Sequence, residues 1–528
     1  MLDSLHENLL RRAVVGDLVS RSADRFRDRI FLITDKERVS YRSLNEKSCM
    51  AANAFLDIGI KKGDRVAFMT HNCLNYIYCY LGLMKIGAVG VPLNFMLKGE
   101  EIAYIIGDAE PKAFFVEDSV VDTVMAAKDR LKSVEHFGWI NFGAKAKPDG
   151  WIDVDSFFSG RYQATEPEVL IESDDLATLI YTTGTEGYPK GVMTTHLNYF
   201  MSLLHFVPDC EFRRDDAFIL DIPLFHVAGN TVLLGVLATG GRIFIAYAPN
   251  PIQTLEVTQR EKITYWVYPP TLYAAIPAMP GFEKYDLSSL KKFVSFGAVI
   301  PMVVIEKWKS ISPNVQWRNY WGQTESTPVG TTSFPEDFDK KMNAIGVPDT
   351  AVSVKVFDDN DQEVPTGQIG ELVIRSAAVM KGYWKKADIT AKTLAKGWLH
   401  TGDLGYMDEE GWIYFVDRKK DMIKTGGENV SSQEVEGQLL RHPKLAMAAV
   451  VGLPDPYWME LVTAVVVPKP GTEVTEEEIV RFCKENMAGF KVPKKVFIRQ
   501  TLPMTASGKI LKREIRRELA DQAAGEKK

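Results

Sequence analysis

Residues 182–191 read TTGTEGYPKG. Thr182, Thr183 and Thr185 supply hydroxyls, and Gly184, Gly187 and Gly191 let the backbone turn and present N–H groups. Exposed N–H groups in a concave turn bind anions. Lys190 adds a cation on a flexible stem, so the stretch predicts a phosphate cradle. Its spacing differs from the GxxxxGK[ST] phosphate loop, because Gly191 follows the lysine, and a glycine-rich surface loop has the same composition. Glu186 stands in its middle, where a carboxylate repels polyphosphate unless screened or paired. We expect it to point outward or to pair with Lys190.

Other residues fit the same chemistry. In NYWGQTE (Asn319, Tyr320, Trp321, Gly322, Gln323, Thr324, Glu325), Glu325 is a hard oxygen ligand suited to Mg2+, and Thr324 sets a hydroxyl beside it. Trp321 offers a flat face to a nucleobase, although an isolated tryptophan is also a common core residue. Asp403 follows Thr401 and Gly402 in an expected turn that presents its carboxylate, an acceptor suited to ribose hydroxyls. Lys509 lies in TASGKI, ahead of a basic helical run with Lys512, Arg513, Arg516 and Arg517. His226 and His205 both lie in apolar stretches, where a lone histidine is most often a satisfied core residue; we read His205 that way. A nucleotide, a metal and well-placed cations are what activation of a carboxylate by ATP demands. The acid oxygen attacks the α-phosphorus while pyrophosphate leaves, and the developing charge must be met by cations.

The elements that must position these groups alternate. Val66–Met69, Gly90–Leu93, Leu176–Tyr181, Arg242–Tyr247, Thr264–Tyr268 and Lys292–Phe296 read as strands, with helical stretches such as Tyr76–Ile86 and Ile252–Glu261 between them. This predicts an α/β fold: a large N-terminal domain of two α/β subdomains. From about residue 343 short strands separated by Asp-Asn and Pro-Thr-Gly turns predict a small β-rich subdomain. The last hundred or so residues predict a small α/β C-terminal domain, with DRKKD (417–421) as the link. Its helices open at Ser431/Glu434 and Thr475/Glu478 capping boxes, and its strands are Met447–Val451 and Leu461–Val467. The tail AAGEKK is expected to be disordered.

Composition excludes several classes. The 528 residues, 46% hydrophobic and 25% charged, fit a multidomain globular chain. A formal net charge of -6 argues against general nucleic-acid binding. The five cysteines lack zinc spacing and fit a reduced cytoplasm. No signal peptide or membrane-span pattern is seen.

The segments TTGTEGYPKGVMTTH, PLFHVAG (223–229), NYWGQTE (319–325), GWLHTGDLG (397–405), DRKKDMIKTGGENVSSQEVE (417–436) and PMTASGKILKRE (503–514) resemble, in order, the signatures of the adenylate-forming superfamily. That superfamily holds acyl-CoA synthetases, adenylation domains of peptide synthetases and firefly-type luciferases. The resemblance implies an ATP-dependent, AMP-forming acyl-CoA synthetase with ATP, Mg2+ and coenzyme A. It places Thr182, Thr183, Gly184, Thr185, Gly187 and Lys190 on the phosphates. Asn319, Tyr320, Trp321 and Gly322 fall at the base, and Thr324 and Glu325 at the α-phosphate and metal. Asp403 and Arg418 hold the ribose, and His226 lies near the acyl carboxylate. Lys509 bridges acid and nucleotide. The resemblance also implies a large domain, 1–419, and a mobile small domain, 420–528, hinged at Lys420. After rotation Lys424, Gly426 and Gly427 would face the site, where a pantetheine arm passes. SFGAVIP (295–301) departs from the usual small-residue segment beside the acyl pocket, through Phe296 and Val299.

The implied lining is mostly apolar, so the expected partner is an apolar carboxylic acid, medium-chain, alicyclic or aryl. The alternative is an adenylation enzyme loading a carrier-protein thiol. No carrier segment follows Lys528 in this sequence, and amino-acid-activating relatives have aspartate where His226 stands. A homodimer is compatible with this reading, as is the cytoplasm.

Overall fold

The computed structural model describes residues 4–182, 188–297, 300–341, 343–505 and 510–525. Two large sheets face one another. The eight-stranded sheet runs Gly382–Tyr383, Lys190–Thr195, Leu176–Thr182, Val89–Leu93, Arg65–Met69, Ala113–Glu117, His136–Ile140, Ile152–Asp153. The nine-stranded sheet runs Val347–Pro348, Gly330–Thr332, Gln316–Gly322, Lys292–Phe296, Tyr265–Tyr268, Ala217–Leu220, Arg242–Ile245, Ile30–Ile33, Arg38–Ser40.

Both sheets share one topological property. Arg65–Met69 pairs in parallel with the next strand, Val89–Leu93, on one side and with the third, Ala113–Glu117, on the other. Ala217–Leu220 likewise sits between Arg242–Ile245 and Tyr265–Tyr268, parallel to both. Successive connections therefore leave these strands in opposite directions. The crevice this opens at the carboxyl ends is where α/β sheets bind ligands.

The central core lies between the sheets. It joins Val66, Phe68, Ala113 and Phe115 of one to Phe218, Leu220, Ile243, Val267 and Val294 of the other. Helices Leu74–Lys85 and Val227–Thr239 run through it, and their sequences explain why: each is apolar nearly all round and buried on every side. Each Leu or Val so buried contributes ~1.5–3 kcal/mol. Separate apolar layers cover the outer faces, one built on Trp266, Phe293 and Trp308, the other on Ile102, Ile106 and Phe114.

Two smaller sheets follow. Ser353–Phe357, Gly370–Arg375, Leu399–Met407 and Ile413–Arg418 form an antiparallel sheet of four, the β-rich unit. The remaining chain folds on a five-stranded sheet that carries Ser432–Leu439, Glu476–Asn486 and Lys512–Gly525. The hydroxyls of Ser431 and Thr475 accept from the backbone N–H of Glu434 and Glu478, as those spacings predict. Strands Leu445–Asp455 and Met459–Pro468 outrun their predicted bounds because their ladder continues through Pro454 to the Asp455–Met459 pair. One expectation is corrected: residues 523–525 of the AAGEKK tail continue the last helix.

Candidate active site

The strand Leu176–Thr182 ends where the glycine and hydroxyl loop begins, and Lys190 opens the antiparallel return strand directly opposite Thr182. Thr183, Gly184, Thr185, Glu186 and Gly187 lie outside the described residues, so the pairing expected of Glu186 is not part of this geometry. Beyond them, the exposed Tyr188 ring stacks on Tyr104 at 4.7 Å.

Lys190 meets the second motif through a residue the sequence did not flag. Its ammonium lies 4.4 Å from the centre of the Tyr383 ring. The Tyr383 hydroxyl donates to Glu325 Oε1 at 2.8 Å, and the Glu325 carbonyl accepts from Met380 N–H at 2.8 Å. Tyr383 reaches this place because Gly382–Tyr383 pairs with Lys190–Thr195 as an edge strand. The lysine of the candidate phosphate loop and the metal-ligand candidate are thus joined, through Tyr383, across the boundary between the two sheets.

Glu325 is carried by the short turn Thr324–Ser326, which the Ser326 hydroxyl closes by bonding to Gln323 N and O at 3.2 and 3.0 Å. Thr327 ends the turn at φ +58, a left-handed conformation that costs a β-branched residue energy and recurs at functional sites. Gly322, just before, cannot be replaced: a Cβ there would lie 1.3 Å from the Pro328 carbonyl oxygen.

Asn319 and Tyr320 turn their side chains toward the protein. The Asn319 amide donates to the Ala344 carbonyl at 3.1 Å, and Tyr320 is buried edge-on to Phe206. Of the residues expected at the base, α-phosphate and metal, this leaves Trp321, Thr324 and Glu325 as the side-chain candidates. The Trp321 indole N–H donates to Asp403 Oδ2 at 3.0 Å, and Arg418 Nε lies 3.1 Å from Asp403 Oδ1. Asp403 and Arg418 are direct partners on neighbouring strands. Asp403 is only 2% exposed. The expected turn at 401–403 is corrected: these residues lie inside strand Leu399–Met407, at a register shift that acts as a bulge, with Gly402 at φ +71. A bulge re-aims a side chain without ending the strand. Here Thr401 Oγ1 accepts from Asp403 N–H at 3.0 Å and fixes the aim.

His226 stands at the other crevice. It is the N-cap residue of Val227–Thr239, half-buried, with its ring 4.4 Å from that of Phe225. Asn72, which the sequence analysis missed, holds the chain leading to it. The Asn72 carboxamide accepts from Leu224 N–H at 2.8 Å and donates to the Ile222 carbonyl at 3.0 Å. An asparagine just past an apolar strand is the only sequence signal for that role.

Lys424, Gly426 and Gly427 lie on the five-stranded sheet. Gly426 and Gly427 form the turn between Ile423–Thr425 and Glu428–Val430, both with positive φ, as a tight hairpin requires. A Cβ on Gly426 would strike the Trp458 ring at 2.9 Å, whereas the space beside Gly427 is open. Lys509 and Val299 lie outside the described residues. His205 is buried beside Ser376, its imidazole pushed down by burial, in keeping with a core role.

Among the described residues no helix is long and apolar enough to cross a membrane. Comparison with known proteins gives the same assignment from two directions. A feruloyl-CoA synthase from Amycolatopsis sp is 33% identical over 481 residues, covering 91% of this chain and 94% of the relative. A long-chain-fatty-acid–CoA ligase of Escherichia coli O6:H1 is 33% identical over 540 residues, covering 95% and 94%. The crystal structure of the anthranilate CoA ligase AuaEII, in complex with anthranoyl-AMP, superposes with a TM-score of 0.91 at 27% identity, covering 97% of this chain and 98% of that one. The AMP-binding enzyme description matches residues 19–384 and its C-terminal domain residues 434–509, so this chain belongs to the AMP-binding enzyme family.

Proposed function

We infer that this protein is an AMP-forming carboxylate–CoA ligase that converts an apolar carboxylic acid to its acyl-AMP and then to its acyl-CoA. The observation that supports the site assignment most directly is the pair of linked clusters: Lys190–Tyr383–Glu325 and Trp321–Asp403–Arg418. Asp403 presents a fixed carboxylate to ribose hydroxyls, with Arg418 alongside and Trp321 offering its ring to the base. Thr182, Lys190 and the loop between them hold the phosphates, and Thr324 reaches the α-phosphate.

The residues fit a magnesium ion. Glu325 is a half-exposed hard-oxygen donor with one oxygen fixed by the Tyr383 hydroxyl, and a single carboxylate plus phosphate oxygens is the usual holder of Mg2+ on a nucleotide. Magnesium held there would neutralise charge on the phosphates. His226 positions the acyl carboxylate, and Lys509 brings a cation to the charge developing between acid and α-phosphorus.

The boundary between residues 419 and 420, with Lys420 as hinge, belongs to this reading. The chain changes sheets between Arg418 and Ile423, which supports it. An apolar acid is favoured because the implied lining is mostly apolar, in keeping with relatives named for feruloyl-CoA and for long-chain fatty acids. Cytoplasmic residence and a homodimer are parts of the reading that fractionation and sedimentation check.

The test is a panel of carboxylic acids with ATP, magnesium and CoA, reading AMP release. At least one apolar acid should drive it. Lys509→Ala should keep ATP binding and lose acid-dependent pyrophosphate exchange by ~100-fold or more, the worth of a removed transition-state donor. Silence from every acid, or equal loss of ATP binding, overturns the assignment.

A further inference from the structure

The two crevices described above meet, and the dipeptide His71–Asn72 joins them. It follows strand Arg65–Met69, beside the end of Ala113–Glu117. The Asn72 carboxamide grips the backbone of Ile222 and Leu224 at the carboxyl end of the other sheet, and its N–H reaches the Tyr247 carbonyl at 3.4 Å. Asn72 is 4% exposed, so no water competes for those bonds.

His71 is held as firmly. Its ring lies between those of Phe95 and Tyr247, at 3.6 and 3.9 Å and nearly parallel to both. Its Nδ1 lies 2.9 Å from both Glu117 oxygens. A carboxylate only accepts, so Nδ1 carries the hydrogen and donates. Glu117 is fully buried and takes further bonds from His71 N–H at 2.6 Å, Tyr247 Oη at 2.6 Å, Thr70 Oγ1 at 3.2 Å and the Ser119 hydroxyl. Burial alone would push its carboxyl up; the donors outweigh it and hold the group down at about 2.

Both lines of force end at one place. Asn72 fixes the main chain of Ile222–Leu224, and Phe95, stacked on His71, lies edge-on to Phe225 at 5.5 Å and 80°. Phe225 immediately precedes His226, and its ring lies 4.4 Å from that imidazole. We propose that His71–Asn72 is a positioning unit that sets the place of His226 at the acyl site, and so governs use of the acid without touching it. The proposal rests on reading His226 as an acyl-site residue.

A double-mutant cycle tests it, in the full-length protein with ATP, magnesium and the best acid of the panel. Asn72→Ala and His226→Ala should each lower kcat/KM for the acid by ~10- to 100-fold, the cost of a small misplacement, with the KM for ATP within about twofold. The double variant should be no worse than the poorer single one, because both act through one imidazole. His71→Ala should show the same split, and His71→Phe, which keeps the stack, should recover most of the loss. Losses that multiply in the double variant, or ATP use that falls in step with acid use, overturn the proposal. Should Asn72→Ala fail to fold, Glu117→Gln loosens His71 at nearly constant shape and takes its place in the cycle. Should no acid support exchange even in the parent protein, the ligase reading fails while this inference is still decided. The His226 imidazole resonance, identified by its loss in His226→Ala, should move in Asn72→Ala or Glu117→Gln, and an unmoved resonance overturns it.

Discussion

At the scale of single residues, the sequence showed the charged and hydroxylated groups but not the neutral ones that aim them. Lys190, Glu325 and Asp403 stood out as candidates because ATP chemistry calls for their types, and Arg418 through the resemblance. Tyr383 was not, since a tyrosine in KGYW carries no signal until the edge strand Gly382–Tyr383 lays it between Lys190 and Glu325. Its ring faces the ammonium and its hydroxyl faces the carboxylate, so the two functions separate on substitution. Tyr383→Phe keeps the ring under Lys190 and removes a hydrogen bond to a charged acceptor, worth ~1.5–3 kcal/mol. Glu325 would then sample other orientations. The expected outcome is a KM for Mg-ATP raised by about tenfold or more, with the largest effect at low magnesium, while Tyr383→Leu also weakens ATP binding in the absence of magnesium. Steady-state kinetics across a magnesium series, with calorimetry of ATP, reads both. A Tyr383→Phe enzyme with parental magnesium dependence would remove Tyr383 from the proposed metal site.

At the scale of elements, period and punctuation located each strand that the sequence analysis named by range, missed others such as Ala217–Leu220 and Gln316–Gly322, and tertiary pairing moved their ends. The bulge at Thr401–Asp403 shows the limit: Thr-Gly-Asp has turn composition, and only pairing against Gly370–Arg375 makes it a defect inside a strand. Asp221 was missed for a related reason. It looks like the polar residue that closes a strand, yet it is buried at 1% exposure behind Ala217–Leu220, with Thr254 Oγ1 donating to it at 3.3 Å. Burial pushes its carboxyl up from the ordinary 3.8 to about 7. Between those pH values the folded chain holds a proton that the unfolded chain has released. Stability contributed by this group is therefore full below about pH 4, falls as pH rises, and is lost above about pH 7. Asp221→Asn should abolish that loss. The stability difference between parent and variant should change by a few kcal/mol between pH 4 and pH 8, read by urea unfolding at a series of pH values. Parallel curves for the two proteins would show that Asp221 titrates normally in place.

At the scale of the whole molecule, the proposed link between the large and small units is short, with Lys419 and Lys420 exposed and buried bonds beside it. Asp417 lies one residue before the end of strand Ile413–Arg418 at 1% exposure, and its Oδ2 accepts from Ser432 N–H at 2.6 Å and Ser432 Oγ at 2.7 Å. Ser431 Oγ donates to the Val416 carbonyl at 2.8 Å, and Lys512 Nζ donates to Ser432 Oγ at 2.7 Å. The bonds from Val416 and Asp417 straddle Lys420, whereas that from Lys512 lies wholly beyond it. The segment DRKKD was readable as a link, but nothing in it showed that Asp417 would cap a helix on the far side of the proposed hinge. If the small unit rotates about Lys420 between the two half-reactions, the Asp417–Ser432 bonds must break each time, so they act as a brake on the swing. Lys420→Pro, which fixes φ at the hinge, should spare acid-dependent pyrophosphate exchange and block transfer to CoA. Ser432→Ala should act in the opposite sense. It removes one of the two Asp417 bonds, again a hydrogen bond to a charged acceptor worth ~1.5–3 kcal/mol, and should speed acyl-CoA formation from preformed acyl-AMP by about tenfold or more where rotation limits that step. Single-turnover quench experiments on the two variants measure both effects. Equal changes in the two half-reactions for Lys420→Pro would place the pivot elsewhere, and the bonds from Asp417 to Ser432 would then be a static joint within one rigid body.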